Sequence, residues 1–139
     1  MRQFVIVCGG RDFTDFGAVA FGIREVLAAE KIGVDNCVIT SGGQRGADTL
    51  ALEWAVKNEF AALRVPAQWK RFKAAAGTLR NQAMLDMVTV FATDPILLAM
   101  PGGVGTADMV ERYVGYANTR GRLRLYDFRN EARDVSRNM

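Results

Sequence analysis

Histidine is missing altogether from the 139 residues of this chain. The side chain most often used as a general base and metal ligand is therefore unavailable, which excludes histidine-dependent catalysis and histidine metal centres. Cysteine is almost as scarce. Cys8 and Cys37 lie in separate apolar runs with no second cysteine at ligand spacing, and so read as two buried reduced thiols rather than a disulfide or a metal site. No apolar stretch approaches the ~20 residues that cross a bilayer. The opening Met1-Arg2-Gln3 runs straight into a strand-like segment without the long apolar centre of a secretory leader, so the expectation is a cytoplasmic protein with no membrane contact. The net charge of +3 is mild, and apart from Arg120, Arg122 and Arg124 the basic residues are scattered. That balance suits an anionic small ligand and argues against nucleic acid as the partner.

Internal linkers, repeats and low-complexity segments are also lacking, and the length fits one core. The expectation is a single domain over residues 1–129, followed by a polar, charged and flexible tail at 130–139. Within the domain, Phe4-Val5-Ile6-Val7-Cys8 is continuously apolar and β-branched, the pattern of a strand buried on both faces. Phe16, Val19, Ala20, Ile23, Val26 and Leu27 then recur at helical spacing. The same alternation continues with a strand at 37–40, a helical stripe at 47–55, a strand at 61–65 stopped by Pro66, and a helix marked by Leu79 to Phe91. A strand at 96–100, a helix marked by Val110 to Ala117, and an alternating edge strand at 123–126 complete it. Strands and helices that alternate through short connections predict a Rossmann-like α/β fold: an open, mostly parallel sheet of about five strands with helices on both faces.

In such sheets ligands bind beyond the carboxyl ends of the strands. Eight of the fourteen glycines fall in three loops at those ends: Gly9 and Gly10; Gly42, Gly43 and Gly46; Gly102, Gly103 and Gly105. Each loop is either a tight strand-to-helix turn or an anion cradle of backbone amides at a helix start. None carries a strict nucleotide signature. The Gly42-Gly43-Gln44-Arg45-Gly46-Ala47-Asp48 run has no P-loop lysine, and Gly103-Val104-Gly105-Thr106 lacks the last glycine of the dinucleotide pattern.

Charged residues flank these loops: Arg11 and Asp12, Arg45 and Asp48, and Asp108 after Thr106. Asp48 and Asp108 are read first as first-turn acids that favour the helix macrodipole. If Thr78 caps its helix, Arg80 and Asn81 lie in the first turn, where a cation is disfavoured unless an anion screens it. Arg80 is thus the leading ligand candidate and Arg45 the next, the alternative being solvated surface charge. Trp69 is read as packing over the sheet edge, with stacking on a base as the alternative, and Trp54 as core. Arg120 to Arg124, interleaved with Leu123 and Leu125, fit an exposed edge strand protected by charge. Met84, Met87 and Phe91 suit either the core or a partner face in a homo-oligomer.

The strings Cys8-Gly9-Gly10-Arg11-Asp12-Phe13, Ser41-Gly42-Gly43-Gln44-Arg45-Gly46-Ala47-Asp48, Ala76-Gly77-Thr78-Leu79-Arg80-Asn81-Gln82-Ala83-Met84 and Pro101-Gly102-Gly103-Val104-Gly105-Thr106-Ala107-Asp108-Met109, in that order, resemble the YspA-like family of small bacterial and phage proteins in the SLOG superfamily. The resemblance runs from about residue 3 to residue 127. It implies a nucleotide-like ligand over the glycine loops. Superfamily relatives include sensors of nucleotide-derived signals such as cyclic ADP-ribose species, LOG phosphoribohydrolases that cut nucleoside monophosphates, and DprA proteins that bind single-stranded DNA. The LOG pattern places its catalytic glutamate where this chain has Met109, a side chain that cannot carry a proton. Arg80 matches the upstream LOG arginine. YspA-like proteins often carry a histidine and a lysine where this chain has Phe72 and Ala74.

The resulting expectation is binding, by sensing or sequestration, of a nucleotide-derived, phosphate-containing ligand. Its site residues are Gly9, Gly10, Arg11, Asp12, Ser41, Gly42, Gly43, Arg45, Gly46, Asp48, Arg80, Asn81, Pro101, Gly102, Gly103, Gly105, Thr106 and Asp108. No metal or cofactor is called for. The alternative is a LOG-like N-glycosidic hydrolase with Arg80 and either Asp108 or Asp12 in the catalytic roles, and then single-stranded DNA binding.

Overall fold

The first apolar run forms a strand, β1 (Gln3–Cys8), whose residues from Phe4 onward are all buried. Its side chains alternate between two separate cores, which explains why the run is continuous rather than amphipathic. Val5 and Val7 enter one core with Ile39, Ile96 and Leu98. Phe4, Ile6 and Cys8 enter the other with Val38, Leu97 and Ala99. The same two-sided burial holds for β2 (Cys37–Ser41) and β4 (Ile96–Ala99), whereas β3 (Ala61–Arg64) and β5 (Leu125–Asp127) are more exposed.

The computed structural model describes residues 2–120 and 122–130. Of the expected tail at 130–139, residues 131–139 lie outside the described residues. All four strand pairings are parallel, in the order β3-β2-β1-β4-β5. Helices α1 (Phe16–Glu30) and α2 (Ala47–Lys57) cover one face, with Val19, Ile23, Ala51 and Trp54 in the core. A four-residue helix, α3 (Trp69–Phe72), and a 3-10 turn at Lys73–Ala75 lead into α4 (Ala76–Phe91). Together with α5 (Val104–Arg120), α4 covers the second face through Met84, Leu85, Val88, Met109, Val110 and Tyr113. The expected Rossmann-like fold is present, and its sheet is wholly parallel.

Several local expectations are corrected. Thr78 is not the cap of its helix: α4 starts at Ala76, and the Thr78 hydroxyl instead donates to the Ala75 carbonyl at 3.2 Å. Arg80 therefore belongs to the second turn. Since α5 starts at Val104, Asp108 also falls beyond the first turn, which holds no acid. Met84 is core, while Met87 and Phe91 are exposed. Arg124 is not a solvated edge charge, because only 8% of it is accessible. It donates to Glu30 at 2.7 and 2.9 Å, to Gln3 Oε1 at 3.0 Å and to the Asp94 carbonyl at 2.6 Å. Tyr126 adds a further hydrogen bond to Glu30. The guanidinium fork ties the start of β1, the end of α1 and the approach to β4 and β5 into one network. Leu123 does lie exposed, ahead of the strand.

Candidate functional site

The chain moves from β1 outward to β3 and then crosses to β4 on the other side of β1, so the strand order reverses at β1 and β4. Loops leaving those two strands diverge to opposite faces and leave a crevice above their carboxyl ends. A cavity of about 750 Å³ occupies that position. Val7, Cys8 and Met84 contribute apolar lining. Its rim is laced together by backbone: the Gly10 amide donates to the Pro101 carbonyl at 2.8 Å, and the Gly10 carbonyl accepts from the Ala47 amide at 3.2 Å. Gly46, at the start of α2, has φ +91°, and a Cβ there would collide with the Gly10 and Arg11 carbonyls. Only glycine combines that conformation with so close an approach.

Of the residues expected at the site, Gly9, Gly10, Arg11, Asp12, Gly42, Asp48, Arg80, Asn81, Pro101, Gly102, Gly103, Gly105 and Thr106 line the cavity. Arg45 and Gly46 line a shallower neighbouring depression, which Arg11 and Asp12 share. Arg45 and Asp12 form a 3.2 Å pair whose side chains are 77% and 93% accessible, an arrangement of little energetic weight. Ser41 and Gly43 lie behind the wall. The Ser41 hydroxyl donates to the Asp48 carbonyl at 2.9 Å and accepts from the Gly43 amide at 3.4 Å, fixing the loop.

Arg80 and Asp48 are the charged groups set deepest in the wall. Their side chains are 8% and 6% accessible, with Arg80 Nη1 4.0 Å from Asp48 Oδ2. Arg80 Nε donates to Asn81 Oδ1 at 3.0 Å, while Nη1 is buried without a hydrogen-bond partner. A buried guanidinium N–H is rarely left unpaired. Burial pushes the Asp48 carboxyl from its ordinary 3.8 up to about 6, against the opposing pull of Arg80 and of the Gln44 and Gly42 amides. Burial likewise draws the Arg80 guanidinium below its usual value, opposed by the Asp48 charge. Gly42 makes the arrangement possible, since a Cβ there would overlap the Arg80 guanidinium.

Asp108 does not reach the cavity. It accepts from Asn81 Nδ2 at 3.0 Å and from Arg112 Nε at 2.9 Å, and Asn81 also donates to the Gly105 carbonyl at 3.1 Å. Asp108 thus positions Asn81, and through it Arg80, from the far side. Met109, at the LOG glutamate position, is fully buried in the core between the sheet, α4 and α5. Cys8 and Cys37 are free and buried, and desolvation pushes both thiols up, Cys37 to about 12. Among the described residues no group of three or more cysteine, aspartate or glutamate side chains is placed to hold a metal ion.

Sequence reasoning missed Gln44, Gly77 and Thr78, which also line the cavity. A glycine two residues into a helix, at Gly77, was the available signal. It also took Trp69 for packing, whereas 43% of that residue is accessible on the cavity wall, with the Arg11 guanidinium carbon 5.4 Å from its ring centroid.

A profile described as "YspA, cpYpsA-related SLOG family" matches residues 3–72. No curated protein matches the chain significantly. Among solved structures, TM1055, a structural-genomics target, aligns over 99% of both chains with TM-score 0.56 and 11% identity. DNA processing protein A (DprA) from Streptococcus pneumoniae aligns over 99% of this chain and 56% of its own, with TM-score 0.61 and 16% identity. At these identities the two structures speak for the fold.

Proposed function

Because the chain belongs to the YspA, cpYpsA-related SLOG family, we propose that it binds a nucleotide-derived, phosphate-containing small ligand over the carboxyl edge of its sheet, as a cytoplasmic sensor or sequestering protein. The observation that carries this reading is the buried Arg80 guanidinium, whose Nη1 has no hydrogen-bond partner in the wall of a glycine-rimmed cavity. An N–H held in that state gains most from an anionic oxygen. The surroundings favour the same ligand. Arg11 and Arg45 on the loops, Arg64 at the end of β3, and Lys70, Arg71 and Lys73 on the short helical segments stand at this edge, a distribution that steers anions toward the cavity.

The test is a thermal-shift series on the full chain with nucleoside mono- and diphosphates, ADP-ribose and cyclic dinucleotides, alongside mass spectrometry of small molecules retained through purification. At least one compound should raise the melting temperature, and Arg80→Ala should remove the shift. A flat series with nothing retained overturns the reading. Binding of an oligonucleotide alone, with steep salt dependence, would move the protein toward DNA.

A hydrolytic reading has one observation in its favour: Asp48, its carboxyl at about 6, is a proton-exchanging group in the cavity wall. Chemistry here would run through Asp48 rather than Asp108. Release of free base and ribose phosphate, lost in Asp48→Asn, would establish it. Self-association belongs to the same proposal. Helix α4 leaves Leu79, Met87, Val90 and Phe91 exposed, and sedimentation of the full chain tests whether a second copy covers them.

A further inference from the structure

The connection between β3 and α4 is unlike the rest of the domain. Every residue from Gln68 to Ala75 is exposed, and neither of its two short helical segments buries a side chain. Trp69, the largest side chain in it, turns its ring to the cavity instead of to either core. A tryptophan ring left open at a concave, polar site has the character of a contact surface, since such rings supply large, rigid apolar area. Its cationic neighbour there is Arg11, 5.4 Å from the ring centroid. Arg11 is itself exposed and makes no ion pair or side-chain hydrogen bond with another described residue. A flat ring slipped between the two would need about twice the ~3.5–4.0 Å contact distance of stacked carbons. The present spacing is too small, so a ring can take this face only if Arg11 leaves it.

We infer that Trp69 is the platform for the ligand's nucleobase and that Arg11 is its placeholder. The base takes the ring face, and the displaced guanidinium turns to the ligand's phosphate. This rests on the phosphate reading above and narrows it: the ligand is a nucleotide whose base is unpaired and open on one face, not a sugar phosphate. Arg11 lines both the main cavity and the neighbouring depression, so its side chain starts from the boundary between the two. An exposed cation–ring contact is weaker than base stacking on the same aromatic face, so the exchange favours the base.

The experiment titrates the full chain with adenosine 5'-monophosphate, adenosine, ribose 5-phosphate and inorganic phosphate, by calorimetry and by tryptophan emission. The other tryptophan, Trp54, is 3% accessible in the core, so a ligand-induced emission change reports on Trp69. The monophosphate should quench emission. Trp69→Ala should weaken it roughly ten- to hundred-fold and leave ribose 5-phosphate unchanged, while Trp69→Phe, which keeps a flat ring, should stay close to the parent. Arg11→Ala should weaken the monophosphate yet leave adenosine equal or tighter, because no placeholder then has to be displaced. If Trp69→Ala binds the monophosphate as the parent does while Arg80→Ala does not bind it, the platform is wrong and the phosphate reading stands. If adenosine quenches Trp69 and no phosphate adds affinity, the platform stands and the phosphate reading falls. Binding by none of the four overturns the platform, and the wider nucleotide series above then decides the phosphate reading.

Discussion

Folding stability measured between pH 4.5 and 7 isolates a single buried group in this protein. Asp48 carries a carboxyl pushed by burial from 3.8 to about 6, with its side chain 6% accessible. The folded protein therefore holds a proton that the unfolded chain has already released across that interval, so stability falls as pH rises through it and levels off above. At 1.36 kcal/mol per unit, the loss is about 3 kcal/mol across the whole interval and about 2 kcal/mol above pH 4.5. Other shifted carboxylates act elsewhere. Glu30 is raised by burial but lowered further by its Tyr126 and Arg124 bonds, to a net position below 4.5, and the Arg129 bond lowers Asp127 below 3.8. Their contributions are complete above those ordinary values and disappear only as pH drops through the lowered ones. With no histidine in the chain, no other side chain has an ordinary titration between pH 5 and 8.

The perturbation is the pair Arg80→Met with Asp48→Asn, which removes both buried charges and keeps similar volume. Replacing a buried ion pair by neutral groups is often neutral or stabilising by about 1–4 kcal/mol. The double variant should be at least as stable as the parent at pH 7.5, and its stability should be flat from pH 4.5 to 7. Arg80→Met alone strands the carboxylate and should lose roughly 3 kcal/mol at pH 7.5. Urea unfolding at half-unit pH intervals, with the m-value held constant, measures all three. A parent that is flat across the window, or a double variant that keeps the slope, refutes the reasoning. The expected outcome means that Arg80 and Asp48 face each other at the expense of stability, the pattern of a site rather than a scaffold.

Gly42→Ala should separate binding from folding: its methyl displaces the Arg80 guanidinium, at a position where no left-handed φ is required. Retained cooperative melting with lost nucleotide response is expected, and undiminished binding would contradict the placement of Arg80. At the opposite end of the sheet, Arg124→Met should destabilise by about 3–5 kcal/mol by stranding Glu30. Calorimetric melting should show a drop of roughly 10–20 °C, and a change within a few degrees would mean that the network adds little.

The fold was legible because each central strand serves two cores. Val5 and Ile6 point to opposite faces, so short uninterrupted apolar runs closed by glycine or proline, such as Phe4–Cys8 and Ile96–Ala99, read as central parallel strands. The position of the cavity followed from that and from the glycines. What local pattern could not supply was long-range pairing. Arg124 looks like edge-strand charge until Glu30, 94 residues away in sequence, meets it. Thr78 is a better cap type than Ala75, yet the helix begins earlier because the preceding 3-10 turn runs directly into it. Asp108 reads as a site acid until Asn81 and Arg112 claim its carboxylate from outside. Trp69 reads first as a cover over the sheet edge, with base stacking as the alternative, because area alone does not say which side of a wall a ring faces.

Gly10 has a mechanical consequence. A single peptide group reaches both the loop after β4, through its N–H, and the first turn of α2, through its carbonyl. Three chain segments thereby become one rigid rim, and no part of it can shift without breaking a bond to the others. The cradle has its shape before anything enters, so little ordering entropy is charged to the rim on association. Among the walls of the cavity, the stretch from Gln68 to Ala75 is exposed throughout and buries no side chain, the character of a segment that adjusts. Differences between rival ligands should accordingly register as hydrogen-exchange protection in that stretch, with the amide of Gly10 equally protected whether the cavity is filled or empty.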